Sequence, residues 1–174
     1  IVDSFFVGRY SDDALTALTV IYPLQLIIIA LAVGTGVGVN TYMARKFAQN
    51  KPQAANDAAG TGMVLELLSW AIFTLAAVLI MRPYVLTSAS SPAAIEDAVT
   101  YGTIVSVGSL GAFLEGNWTK VHQAQGNMRL PMVAQMLGAI TNIILDPILI
   151  FGLGPFPQMG VAGAAYATVC GQVV

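Results

Sequence analysis

Four carboxylates stand inside stretches of this 174-residue sequence that are otherwise almost wholly apolar: Asp3, Glu66, Glu115 and Asp146. An ionisable group within a lipid-spanning segment costs at least ~2.5–3.5 kcal/mol on insertion scales, so each must be satisfied by a neighbour or carry a function. No Lys or Arg lies deep enough in the same stretches to neutralise them, which excludes simple ion pairs. Asn142 and Asp146 are four residues apart, so on a helix they share a face one turn from each other. Pro147 has no N–H, and the Ile143 carbonyl therefore loses its helical partner. A carboxylate, a carboxamide and a free carbonyl on one face make a hard, oxygen-rich site of a kind that takes H⁺ or Na⁺. The same residues could instead serve as hydrogen-bonding glue between helices.

The elements that must position these groups are helices. A span of the hydrocarbon core takes about 20 mostly apolar residues. Ile1–Gly8 has the pattern of the last turns of one span, followed by Arg9 and the polar turn at residues 11–13. Ala14–Ala44 contains no charge at all and holds Pro23, where a kink is expected. Ala58–Met81 is a third span carrying Glu66, and Ala98–Thr119 a fourth, with Glu115 near its end. Leu130–Phe151 is a fifth, and Val161–Val174 begins a sixth. The connections expected between them are Arg45–Asp57, Arg82–Asp97, Lys120–Arg129 and the Gly/Pro-rich Gly152–Gly160, with prolines 52, 83 and 92 as breakers. Apolar runs continue to both ends of the sequence, so further protein is expected on either side.

At 1.5 Å rise per residue, Asp3 and Asp146 each lie roughly 8 Å beneath the same end of the bundle, and Glu66 roughly 12 Å in from the opposite end. Asp3 and Asp146 can therefore meet, whereas Glu66 is not expected to join them. It is left as a possible cavity acid, and Glu115 sits close enough to an interface for water to reach it.

Composition supports the membrane setting. The chain is 56% hydrophobic and only 9% charged, with a mean hydropathy of +0.75, whereas an ordinary soluble domain carries about 25% charged residues. Lipid must supply most of its solvent. A net charge of −2 offers no basic footprint for nucleic acid. Cys170 is the one cysteine, and no His/Cys cluster suggests a structural metal. The glycines at 34, 36 and 38 lie inside a long apolar helix rather than after a strand, so they suggest close helix packing and not a dinucleotide loop. Gly60, Gly62 and the run Gly163-Ala164-Ala165 carry the same expectation. Trp70, Trp118, Tyr84 and Tyr101 are expected as interface anchors or filler, with contact to an aromatic drug as the other reading. No role is assigned to His122 or Cys170.

Several stretches resemble one family. Val2-Asp3-Ser4-Phe5-Phe6-Val7-Gly8-Arg9, followed by Asp13-Ala14-Leu15-Thr16-Ala17-Leu18, is similar to the end of the first helix of multidrug and toxic compound extrusion (MATE) transporters. The run from Ala124 to Met132 resembles that family's loop between helices four and five. The run from Asn142 to Gly152 resembles its fifth helix, and Gly160 to Thr168 the start of its sixth. The resemblance implies an all-α polytopic transmembrane fold of two pseudo-symmetric six-helix lobes. Residues 1–174 would be most of the first lobe, from the end of helix one to the start of helix six, packed in the whole protein against a second lobe outside this sequence.

It also implies a transporter rather than an enzyme, located in the plasma membrane of a bacterium or archaeon. Its activity would be antiport: small organic cations or amphipathic drugs leave as H⁺ or Na⁺ enters, with no cofactor beyond that coupling ion. Asp3, Asn142 and Asp146 match positions that bind the coupling cation in many members, with Na⁺ possible there. Thr168 is the nearest hydroxyl to one that takes part in some members. Two carboxylates in a poorly solvated pocket cannot both stay charged cheaply, so the pair would take up a cation as one unit. Two other activities compete. A lipid-linked oligosaccharide flippase of related fold would be expected to carry basic residues mid-span, and an intramembrane aspartyl protease would need a Gly-x-Gly-Asp pattern, whereas Gly152-Leu153-Gly154 is followed by Pro155.

Orientation follows from charge. Five of the seven basic residues (Arg45, Lys46, Lys51, Lys120, Arg129) fall in the connections after the second and fourth spans, and only Arg9 and Arg82 in those after the first and third. The five-residue side is expected to be cytoplasmic. A cysteine introduced within 45–57 or 120–129 of the complete protein should react with an impermeant thiol reagent only from the cytoplasmic side. Labelling of both segments from outside intact cells would reverse the orientation.

Overall fold

The computed structural model describes residues 2–174, and these form seven helices with no strand among them. They are α1 (Val2–Tyr10), α2 (Asp12–Ala48), α3 (Pro52–Ser88), α4 (Pro92–Gly108), α5 (Leu110–Ala124), α6 (Arg129–Phe151) and α7 (Val161–Val173). α2, α3 and α6 are long and apolar enough to cross a membrane, and α4 with α5 makes a fourth span bent by 41°.

Two long helices replace the shorter spans and wide loops expected from the sequence. α2 and α3 each run 37 residues, about 55 Å, well beyond the ~30 Å hydrocarbon core. The expected loop at 45–57 shrinks to Gln49–Lys51, because Pro52 opens α3 instead of breaking it. Proline suits a first turn, where its missing N–H has no helical partner to lose. Pro92 opens α4 in the same way. Pro83, expected in a loop, lies inside α3, which continues to Ser88. α2 likewise runs through Pro23. Near that proline the Tyr84 hydroxyl donates to the Val20 carbonyl at 2.9 Å, tying α3 to α2.

The fourth span departs the other way. It is interrupted at Ser109, between Gly108 and Leu110, a Gly/Ser pair of the kind that bends helices. The carbonyls exposed at the bend are used. Trp70 Nε1 donates to Val107 O at 3.2 Å, and Thr74 Oγ1 to Ser106 O at 3.0 Å. The break also lets α7 close, with Val169 against Gly108 and the Gln172 backbone against Gly111.

The side chains sort by solvent as a lipid-facing bundle requires. Leu68, Ile72, Leu75 and Leu79 recur at helical spacing on α3, and all are more than half exposed. In water such a stripe would turn inward; here it faces lipid. The buried side carries many small residues, including Ala14, Ala17, Ala94, Ala98, Ala164 and Ala165, around Tyr101, Phe113 and Ile21. Close backbone approach supplies dispersion contacts where no hydrophobic drive between helices exists. Gly36 sits under the Lys120 stem and the Gly116 carbonyl, Gly62 meets Val39 and Asn117, and Gly138 lies against the Gly171 carbonyl. Gly34, Gly38 and Gly60 face open space, so the close-packing expectation fails for them.

A matched pair of substitutions tests this packing. A methyl group at Gly163 would stand 2.5 Å from the carbonyl carbon and oxygen of Leu149, backbone that cannot swing aside. Gly163→Ala should therefore lower stability by about 1–3 kcal/mol. Gly34→Ala, with nothing within 4 Å of the new carbon, should raise it by about 0.5–1 kcal/mol. Thermal unfolding of the purified complete protein in detergent should rank Gly34→Ala above the parent and Gly163→Ala below it.

Candidate cation site

Asp3 is brought to α6 and α7 by contacts at one end of the bundle. Phe6, one turn beyond Asp3, meets Phe151 edge-on at 6.4 Å between ring centroids. The Tyr10 ring covers Gly160, which has φ 54 and no room for a side chain. α6 ends nearby in the left-handed cap Gly152, with φ 70. With these ends pinned, Asp3 and Asp146 lie at similar depth on adjacent helices.

There the Thr168 hydroxyl of α7 is 2.7 Å from Oδ2 of Asp3 and 2.9 Å from the Ala164 carbonyl of its own helix. A hydroxyl has one proton to donate. With Asp3 ionised, Thr168 gives it to the carboxylate. With Asp3 protonated, Asp3 can donate to Thr168, and Thr168 to Ala164. The geometry holds both arrangements without moving a heavy atom. Asp146 is fully buried, and no neighbouring donor satisfies its oxygens, which leaves only the Asp3 carboxyl placed to share a proton with it. It is close enough to Asp3 for the two charges to act on each other. Asp3, Asp146 and Thr168 are thus together, in agreement with the depth argument.

Asn142 is less central. It lies one turn from Asp146 and is half-buried, and its Cβ would be 3.1 Å from a methyl group placed at Gly171. It backs onto α7 rather than lining the space beside Asp3. Glu66 is buried elsewhere, on α3. Glu115 accepts from Thr119 Oγ1 at 2.7 Å and from Gln135 Nε2 at 3.0 Å, and shares a separate groove of about 760 Å³ with Trp118 and Gln135.

Beside Asp3 is a cavity of about 290 Å³, lined among others by Tyr22, Gln25, Tyr101, Thr168 and Gln172. Gln25 Nε2 donates to the Tyr101 hydroxyl at 2.9 Å, which leaves the phenolic proton free to be given to an acceptor in this group. Tyr101 is 2% exposed, so it packs inside the bundle as filler rather than anchoring an interface, and its hydroxyl joins this polar cluster. Tyr22, Gln25 and Gln172 escaped the sequence reading because a single polar residue in an apolar run carries no spacing signal of its own.

Comparison with known proteins adds the context. The MatE family model matches residues 1–148. The chain is 33% identical to the FAD transporter of Shewanella oneidensis over 177 residues, covering all of this chain and 38% of that protein. It is 29% identical to the probable multidrug resistance protein NorM of Thermotoga maritima, over 99% of this chain and 37% of the relative. A solved multidrug resistance MATE family transporter of the MOP superfamily, in its inward-facing conformation, superposes with a TM-score of 0.92 at 28% identity, over 99% of this chain and 38% of that one. The chain thus spans little more than a third of the length of the proteins it matches.

Proposed function

The chain belongs to the MatE family of multi-pass membrane proteins, and from that premise we propose that the complete protein is a secondary antiporter exporting cationic or amphipathic organic compounds in exchange for H⁺ or Na⁺. In this reading residues 1–174 form its first lobe, and Asp3, Asp146 and Thr168 form the cation-responsive unit, with Asn142 one turn away on α6. The observation that carries the reading is the buried, unpartnered Asp146 carboxylate beside an Asp3 that shares one hydroxyl proton with Thr168.

The coupling step is a change of charge and of hydrogen-bond direction. A proton or Na⁺ arriving from outside neutralises one charge of the pair. Thr168 then turns its proton from Asp3 to the Ala164 carbonyl, and α1 and α7 lose the charge-assisted bond between them. Such bonds contribute about 1.5–3 kcal/mol. Coupling follows if the two arrangements favour different packings of the cavity wall. The second reading, suggested by the FAD transporter relative, is export of an anionic dinucleotide. The Asp3 carboxylate disfavours it, since no Lys or Arg is among the described residues that line that cavity.

The test is efflux from proteoliposomes holding the complete protein under an imposed H⁺ or Na⁺ gradient, with a cationic dye and FAD as alternative cargoes. Asp146→Asn and Asp3→Asn should each keep the fold yet lose at least about tenfold in gradient-driven dye efflux, and the double variant should be little worse than either single, as for residues acting as a unit. Equilibrium dye binding should fall less than transport. Parent rates with parent pH and Na⁺ dependence in both single variants would refute the site, and gradient-driven efflux of FAD but not of dye would favour the second reading.

A further inference from the structure

A second set of unsatisfied oxygens lies away from the Asp3–Asp146 pair. Glu66 is fully buried, and neither carboxyl oxygen has a hydrogen-bond partner. Asn117 on α5 is 5% exposed, and its Oδ1 is also without a partner. The two belong to one seam. Gly62, one turn before Glu66 on α3, has its open side 2.7 Å from Asn117 Oδ1 and against Val39 of α2. On the other side of Glu66, Trp70 and Thr74 donate to the carbonyls of Val107 and Ser106. Helical side chains lean toward the N-terminus of their helix, and positions four apart have Cβ atoms about 5–6 Å from each other. A Glu66 side chain following that direction leans toward Gly62, whose missing side chain leaves room beside the Asn117 amide.

Chemistry decides what completes the seam. Both carboxyl oxygens of Glu66 and the Asn117 Oδ1 are buried acceptors with no hydrogen-bond partner. No basic group is placed to supply one. α2 has no charged residue between Ala14 and Ala44, and the charges of α4 are Glu96 and Asp97 at its far end. On α5, Lys120 gives its ammonium to Gln123 Oε1 while its stem covers Gly36, and Glu115 is held by Thr119 and Gln135. The other charges of α3, Asp57 and Arg82, are more than two turns away. A buried charge without a donor is far costlier than its neutral acid, and one proton on Glu66 would convert an acceptor into the missing donor.

We propose that Glu66 and Asn117 form a proton-binding site between α3 and α5, in which Glu66 is a neutral carboxylic acid donating its O–H to Asn117 Oδ1. The site lies nearer the basic end of the bundle, that of Lys51, and is separate from the Asp3–Asp146 unit at the opposite end. Loss of its proton would leave the seam with one charge and no donor, loosening α3 from α5. The ligand is a proton, and the step is a transfer from water to carboxylate oxygen with no other bond changed.

Infrared spectroscopy of the complete protein in lipid tests this directly, because a protonated carboxyl has a carbonyl stretch that an ionised one lacks. At neutral pH the parent should show a protonated-carboxyl band that disappears in Glu66→Gln and shifts in frequency in Asn117→Ala. It should persist in Asp3→Asn and Asp146→Asn, which separates it from the proposed coupling unit. Glu66→Gln should melt with the parent, since its amide N–H can replace the acid O–H toward Asn117, whereas Glu66→Ala should melt lower. A parent spectrum in which Glu66→Gln removes no such band overturns the proposal, as does a Glu66→Gln protein that melts as low as Glu66→Ala.

Discussion

A carboxylate carried into an apolar helix bundle must be met by a donor or give up its charge, and that constraint organises this lobe. No Lys or Arg lies mid-span in this sequence, so the protein groups that satisfy the acids are uncharged donors on neighbouring helices. At the Asp3 end the answer is a hydroxyl on α7. At Glu115 it is Thr119 and Gln135. At Asp146 and Glu66 no donor is found among the described residues, and the proposed cation and proton sites are built on those two groups. The single ion pair among the described residues, Arg82 with Glu96 at 3.9 Å, is largely exposed and adds little.

The small residues serve the same end. Gly163 against Leu149, Gly138 against Gly171 and Gly108 against Val169 bring α7 within backbone contact of α6 and α4. Only at that distance can a threonine hydroxyl, short and tied to its own helix, reach an aspartate on α1. Replacing the glycines would do more than weaken packing, because it would move Thr168 away from Asp3 and leave the aspartate without its donor. Stability and site geometry are therefore set by one set of contacts.

The apolar stretches and the pairing of Asp3 with Asp146 were legible in the sequence, since spans are recognised by length and depth follows from helical rise. The prolines were not. Pro52, Pro83 and Pro92 were all read as breakers, yet two begin helices and one lies within α3. A proline in a first turn and a proline ending a helix differ in the backbone on either side, not in the residue itself. The break at Ser109 was hidden because Gly108 and Ser109 interrupt an apolar run without charge or proline. Tyr101, Gln25 and Thr168 are joined by contacts up to 165 residues apart in sequence. No local pattern encodes such contacts, and for Thr168 only the family resemblance pointed the way.

Magnitudes limit what the Thr168 hydroxyl can do alone. Driving a two-state equilibrium from 1:99 to 99:1 takes about 5.5 kcal/mol of differential affinity. In the proposed antiporter, turning one charge-assisted hydrogen bond from Asp3 to Ala164 supplies about 1.5–3 kcal/mol, roughly a quarter to a half. In that proposal the remainder falls to Asp146, which is buried with no hydrogen-bond donor among the described residues, so its charged form is costly. The division of labour is then physical. In the proposed antiporter Asp146 carries most of the free energy through its burial, while Asp3 and Thr168 connect the charge of the pair to the position of α1.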